Sequence, residues 1–292
     1  MEYLFETESD ENGGVPGNFE EVLRDVEWAL MRVSNMGSPS RSTLPSWPPV
    51  HVLTAVGSRS LRDDDPAKVN AARQLIDAYY WRSLFTNRHE RQANDRLHED
   101  LEELSSVLKG EREVGTMRIF SDQHHPLYPS EWLAESVGWI GKSRIGKALV
   151  AGVLASKTTP VDWITGEFLR ATHIRQLEQE RNLDRHHVFP KKVLLEAGVP
   201  EREINNGLNG VVLDRRTNRQ FWKYPPHEYV ANVTRKKGIT EGELRERIEG
   251  HLVPYEEMIS VTGKTHVRYS KFRLARARLL METIRQLAQP PQ

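Results

Sequence analysis

Apolar residues recur at helical spacing along most of this 292-residue chain, and one stretch, residues 186–213, departs from it with short β-type runs between turn residues. That pattern predicts a mainly α fold carrying one small ββ element. Val22, Val26, Ala29, Leu30 and Val33 mark a helix from Phe19 to about Val33. Asp65-Pro66 reads as a helix start, because proline is tolerated in the first turn, and Val69, Ala72, Leu75, Ile76, Tyr79, Tyr80 and Phe85 continue it. Leu97, Leu101, Leu104 and Leu108 predict a second helix, and Trp132–Trp139 and Ala148–Leu154 two more. Charged helices follow the β-type stretch at Pro226–Arg235, Glu241–Glu249 and about Val267–Leu287. Tyr79, Tyr80, Trp81, Phe85, Trp132 and Trp139 are expected in the core, where aromatic rings bury the most surface.

These patterns divide the chain into an acidic tail or linker (residues 1–18), a helical domain (19–160) and a C-terminal domain (161–292) ending in the basic helix. Gly37 to Pro49, rich in Ser and Pro, reads as a linker. A hydrophobic content of 38% is enough for a core and excludes wholesale disorder. The apolar run Ala148–Ala155 is broken by Gly152 and too short to span a bilayer, so no membrane partner is expected. Cysteine is absent, which excludes disulfides and thiolate zinc sites and makes a cytoplasmic location the expectation. Lys+Arg and Asp+Glu balance at 41 each, yet residues 1–30 hold nine acids against Arg24, and residues 261–292 hold seven bases against Glu282. Such asymmetry suggests a polyanionic partner for the basic end.

The chemistry concentrates between Asp184 and Tyr229. His186-His187-Val188-Phe189-Pro190 reads as a strand ended by proline, Asn209–Leu213 as a second strand, and Thr217-Asn218-Arg219 as a polar turn entering a helix. Phosphodiester hydrolysis needs a water deprotonated near neutral pH, which suits histidine. It also needs a cation to offset charge growing on the phosphoryl oxygens. Of two adjacent imidazoles, one can hold the ion while the other acts as base, and an asparagine carbonyl on the facing helix can complete the ligands. Strict strand alternation sends neighbouring side chains to opposite faces, so a twist or bulge after His186 is expected if both rings are to converge.

The stretches HHVFPK (186–191), LNGVVL (208–213), TNR (217–219) and PPHEY (225–229) resemble the HNH, or ββα-metal, nuclease motif. More closely they resemble the C-terminal HNH domain of GmrSD-type modification-dependent restriction enzymes and of the related Ssp phosphorothioate-sensing defence proteins. LPSWPPVHVL (44–53) and YYWRSLFTNRHERQAN (79–94) resemble the helical region that precedes the motif in that family. The resemblance implies His186 as metal ligand, His187 as general base, Asn209 as the residue pinning the loop, and Asn218, nine residues on, as the second ligand. The same interval occurs in the HNH domains of RNA-guided CRISPR nucleases. It implies a divalent cofactor, Mg²⁺ or Mn²⁺. A histidine ligand also admits softer ions. It further implies DNA as substrate, a nicking activity in a restriction or anti-phage system, and an N-terminal nucleotide-hydrolysing sensor domain in a longer protein.

Arg215, Arg216, Arg219, Lys191 and Lys192 lie close in sequence to the proposed ligands and are the expected contacts to the DNA backbone. Two weaker signals compete. His124-His125-Pro126 has the same flavour, but no strand or distal asparagine follows it, so a structural loop is expected. Gly141–Lys147 nearly spells a phosphate-binding loop, yet Ala148 stands where a hydroxyl should hold Mg²⁺. A nucleotide-binding protein built on that segment is the lesser alternative, beside a non-catalytic DNA-binding or assembly module.

Overall fold

A computed structural model describes residues 19–57, 61, 65–221 and 224–291; the expected acidic tail, 1–18, lies outside the described residues. Among the described residues the chain is mostly helical with one two-stranded sheet. The described residues divide into two compact units, those within Met1–Val33, Ser46–Leu127 and Ala288–Gln292, and those within Ser34–Pro45 and Tyr128–Leu287. The division at 127/128 therefore falls well before the 160/161 boundary read from the sequence. None of the described helices is long and apolar enough to cross a membrane.

The first unit is built on α1 (Phe19–Asn35), α2 (Pro48–Val56), α3 (Pro66–Phe85) and α4 (Ala93–Leu108). Asp65 caps α3 by accepting the Ala67 N–H at 2.8 Å, as Asp-Pro leads one to expect. Tyr79, Tyr80, Trp81 and Phe85 are buried along that helix. Beside them Arg88 and Asp100 form a buried ion pair of 2.8 Å, and His89 Nε2 lies 2.7 Å from the same carboxylate. Burial of these charges is tolerable because they are mutually satisfied. His125 joins this network through Asn87 at 3.0 Å and Arg88 at 3.4 Å, a structural role in an irregular segment.

The second unit begins with α5 (Ser130–Ser136), α6 (Arg144–Ala155) and α7 (Ala171–Gln179). Strand β1 (Leu183–His187), α8 (Lys191–Glu196), α9 (Glu201–Ile204), β2 (Gly210–Asp214) and α10 (Arg215–Phe221) follow. Helices α11 (Pro226–Lys237), α12 (Glu241–Glu249), α13 (Tyr255–Ile259) and α14 (Thr265–Leu287) complete it. The strands pair antiparallel, Leu183 opposite Asp214 through His187 opposite Gly210, without a bulge. A core of Trp163, Val188, Phe189, Phe221, Tyr229 and Phe272 gathers behind the hairpin.

β1 ends at His187, three residues before the proline that the sequence suggests as its end. The reason is Asn209. Its Oδ1 accepts the Phe189 N–H at 2.8 Å, and its Nδ2 donates to Phe189 O at 3.0 Å and Ile204 O at 3.1 Å. A fully buried carboxamide thus stands in for a strand partner and turns the chain into α8.

The basic C-terminal helix corrects another expectation. Arg273 and Arg276 are buried on the inner face of α14 with Tyr269, Phe272, Leu280 and Met281. Arg276 donates to Leu208 O at 2.6 Å, Gly210 O at 2.9 Å, and His251 O and Leu252 O at 3.3 Å each. Burial lowers its pKa to about 9. Part of the positive charge that suggested a polyanionic partner therefore serves the interior.

Candidate functional site

Because α10 begins where β2 ends, Asn218 is carried back over β1. Its Oδ1 lies 2.6 Å from His186 Nδ1 although the two residues are thirty-two positions apart. Its Nδ2 donates to Asp184 Oδ2 at 2.8 Å. Since the amide nitrogen is engaged by the carboxylate, its oxygen faces the ring, and His186 donates through Nδ1. Asp162, buried in the loop before α7, holds the start of α10 in place. Its Oδ1 accepts the Thr217 hydroxyl at 2.6 Å and its Oδ2 the Asp214 N–H at 3.0 Å.

His186 is buried against Trp163, Phe221 and Tyr229. Its Nε2 is buried without a hydrogen-bond partner. Burial pushes the pKa down to about 4, with the Asn218 hydrogen bond opposing. The ring is therefore neutral at pH 7, the state a metal ligand requires.

His187 leaves β1 on the other face, as the unbulged register dictates. Trp139 stacks on it with centroids 4.1 Å apart and planes 16° apart. Asn205 Oδ1 lies 3.1 Å from its Nε2. An amide oxygen only accepts, so Nε2 carries the proton of the neutral ring and Nδ1 keeps the lone pair. Burial lowers the His187 pKa, opposed by the Asn205 bond and aided by the charge of Lys191.

The expected bulge is absent and the rings leave opposite faces, yet His186 and His187 both line one open groove of about 480 Å³, together with Arg185, Lys191, Lys192 and Asn218 among others. Lys191 is exposed and ion-paired with Glu201, and Lys192 lies 3.8 Å from Glu196. Exposed pairs of this kind contribute little to stability. Arg215, Arg216 and Arg219 are exposed on α10.

Among the described residues, no cluster of three or more His, Cys, Asp or Glu side chains is placed to hold a metal ion. The donors that line the groove are instead one imidazole, His186, and one carboxamide, Asn218, joined by a hydrogen bond, with the Asp184 carboxylate bonded to the amide from behind. His186 and Asn218 fit a divalent cation that displaces the Nδ1 proton between them: the imidazole is neutral, the amide turns its oxygen to that nitrogen, and Asp184 adds negative charge behind the amide.

Asp184, Asn205 and Trp139 are site residues that the sequence reading did not select. Asp184, two positions before His186 on the same strand face, carried the one available signal. Trp139 is half-buried and Trp132 exposed, so these two are not the core residues expected.

Gly141–Lys147 is not built as a phosphate loop. No strand precedes it among the described residues, since α5 ends at Ser136. The N–H groups of Lys142 and Ser143 both donate to Trp139 O at 3.0 Å, and that of Gly146 donates to Ser143 Oγ at 2.9 Å. A Cβ at Gly141 would lie 2.6 Å from the Arg185 side chain. The segment packs against β1, and the nucleotide-binding alternative is set aside.

No family model matches the chain. It is 23% identical over 295 residues to the uncharacterized protein MJ0686 of Methanocaldococcus jannaschii, covering 91% of this chain and 47% of the relative. The chain thus spans about half the length of the curated relative it matches.

Proposed function

We propose that this chain carries a metal-dependent DNA endonuclease of the HNH type, the nicking effector of a modification-dependent restriction or anti-phage system. The observation that supports it most is the meeting of Asn218 Oδ1 with His186 Nδ1, with His187 opening on the same groove. His186 and Asn218 are the residues that would hold the ion. Bound there, a divalent cation would offset the negative charge that grows on the phosphoryl and leaving oxygens.

The remaining chemistry belongs to side chains. Trp139 and Asn205 hold His187 so that Nδ1 receives a proton from the attacking water. The water oxygen bonds to phosphorus as the bond to the 3′ oxygen breaks; that oxygen takes a proton from solvent, leaving 5′-phosphate and 3′-hydroxyl ends. Lys191, Lys192, Arg215, Arg216 and Arg219 pair with the flanking phosphates, which fixes the strand without reading its sequence. One such groove cuts one strand. A nucleotide-hydrolysing sensor domain, in the same polypeptide or as a partner, and a cytoplasmic setting complete the proposal.

The test is nicking of supercoiled plasmid with Mn²⁺ or Mg²⁺, with and without EDTA, by wild type and by His187→Ala. Metal-dependent nicking lost in the variant supports the assignment, and equal nicking by the variant defeats it. A second reading, a non-catalytic DNA-binding or assembly module on the same scaffold, draws on the direct His186–Asn218 hydrogen bond. It expects no nicking with any metal.

A further inference from the structure

Segment 139–141 touches β1 at two points in step with it: Trp139 lies on His187, and Gly141 lies on Arg185. A Cβ built on Gly141 would come within 2.6 Å of Arg185 Cδ and Nε and 3.3 Å of its Cζ. Gly141 does not have a positive φ, so no left-handed turn calls for glycine there. What calls for it is the arginine laid across its backbone. A side chain at 141 would meet only that arginine within this distance, and would push it aside rather than the main chain.

Arg185 and His187 stand two apart on the unbulged strand, so they share a face, and both line the groove. The Arg185 side chain is half-buried, and among the described residues its guanidinium makes no hydrogen bond or ion pair. The lysines of the groove differ: Lys191 is paired with Glu201, and Lys192 lies 3.8 Å from Glu196. Arg185 is held by its stem, packed on Gly141, and its planar fork of N–H donors is left to an anion from outside. Charged donors fixed in place beside a base, ahead of any ligand, are what a phosphoryl group gathering charge requires.

We propose that Arg185 binds the phosphate that is cut, and that Gly141 is the positioning residue that keeps its path open. The guanidinium donates to the non-bridging oxygens of that phosphate, whose charge grows during cleavage, while His187 on the same face serves the attacking water. This rests on the nuclease reading above. It adds to it a contact at the reacting phosphate and a role for the first glycine of the segment that nearly spells a phosphate-binding loop.

Single-turnover nicking of supercoiled plasmid by the full chain in Mn²⁺, with duplex affinity measured in EDTA at several salt concentrations, tests both residues. Arg185→Ala is expected to slow cleavage by about 10²- to 10³-fold. It should also reduce the slope of log affinity against log salt by about 0.9, the loss of one phosphate contact. Arg185→Lys keeps the charge and loses the fork, so its rate is expected between the two and its salt slope at the wild-type value. Gly141→Ala is expected to leave thermal unfolding unchanged and to slow cleavage by about 10- to 100-fold. Added to Arg185→Ala it is expected to cost nothing further, because the group it displaces is gone. Wild-type cleavage by Arg185→Ala, or a slowing with no change in salt slope, overturns the phosphate contact alone. The same loss from Gly141→Ala with and without Arg185 overturns the role of Gly141. A wild type that nicks with no metal overturns the nuclease reading and this assignment with it. If Arg185→Ala does not fold, Arg185→Lys decides: a slower rate at the wild-type salt slope supports the proposal, and a wild-type rate overturns it.

Discussion

Trp139 lies flat on His187, with the Asn205 carboxamide at the Nε2 edge of the same ring. The imidazole proposed as base is thus held on one face and along one edge. Stacks of this type contribute about 0.5–1.5 kcal/mol, which as transition-state positioning is roughly two- to tenfold in rate. Trp139→Ala is expected to slow plasmid nicking by about that factor while leaving Mn²⁺ affinity unchanged, and Trp139→Phe to restore most of the rate. A rate equal to wild type in Trp139→Ala would show that the indole only fills space.

The lowered pKa of His187 fixes the sign of the pH dependence. A base works when unprotonated, so activity is lost as pH falls through a value below the ordinary 6.5. Nicking rates from pH 5 to 8 are expected to be flat near neutrality and to fall only on the acid side. His187→Ala removes that limb together with about 10²- to 10⁴-fold of the rate. An inflection above pH 7 would contradict the assignment.

Asn209 makes three buried hydrogen bonds, to Phe189 N, Phe189 O and Ile204 O. Asn209→Ala strands those groups away from water and is expected to cost on the order of 2–4 kcal/mol. Urea unfolding measures the loss directly. A loss below about 0.5 kcal/mol would mean that the loop finds other partners.

Stability should depend on acidity through His186 and His251. Both are buried with pKa values near 4, burial being the main cause in each. Between pH 4 and the unfolded value of 6.5 the unfolded chain binds more protons, so stability present above 6.5 drains away as pH falls through that window. Each ring contributes on the order of 3 kcal/mol to that loss. Thermal unfolding across pH 4 to 7 is expected to show a steep fall in melting temperature, and His251→Gln should remove about half of the slope. An unchanged slope in that variant would exclude His251 from the effect.

Much of the fold was legible because amphipathic helices advertise their period. α3 starts at the expected Asp-Pro, and α12 occupies the expected span Glu241–Glu249. Shorter elements such as α8 and α13 offered too few turns for a period to register. At the groove, the adjacent histidines and two asparagines stood out by spacing. Asp184, Asn205 and Trp139 did not, because each acts through a partner brought close by folding: Asn218 is thirty-four residues from Asp184, and His187 eighteen from Asn205. Trp139 could not be told from core aromatics, since a ring stacked on a histidine and a ring packed on leucine have the same composition. Arg273 and Arg276 misled for the converse reason: charge in a sequence says nothing of the direction in which a helix turns it.

The inward course of Arg276 bears on how this molecule can be dissected. A single guanidinium from α14 gathers four carbonyls, two beside Asn209 and two after α12. Trimming the polypeptide after PPHEY would keep every residue proposed for cutting DNA and discard the keystone of the loop that presents them. A minimal nuclease fragment must run through α14 to Leu287, and shorter versions should emerge as insoluble or misassembled material.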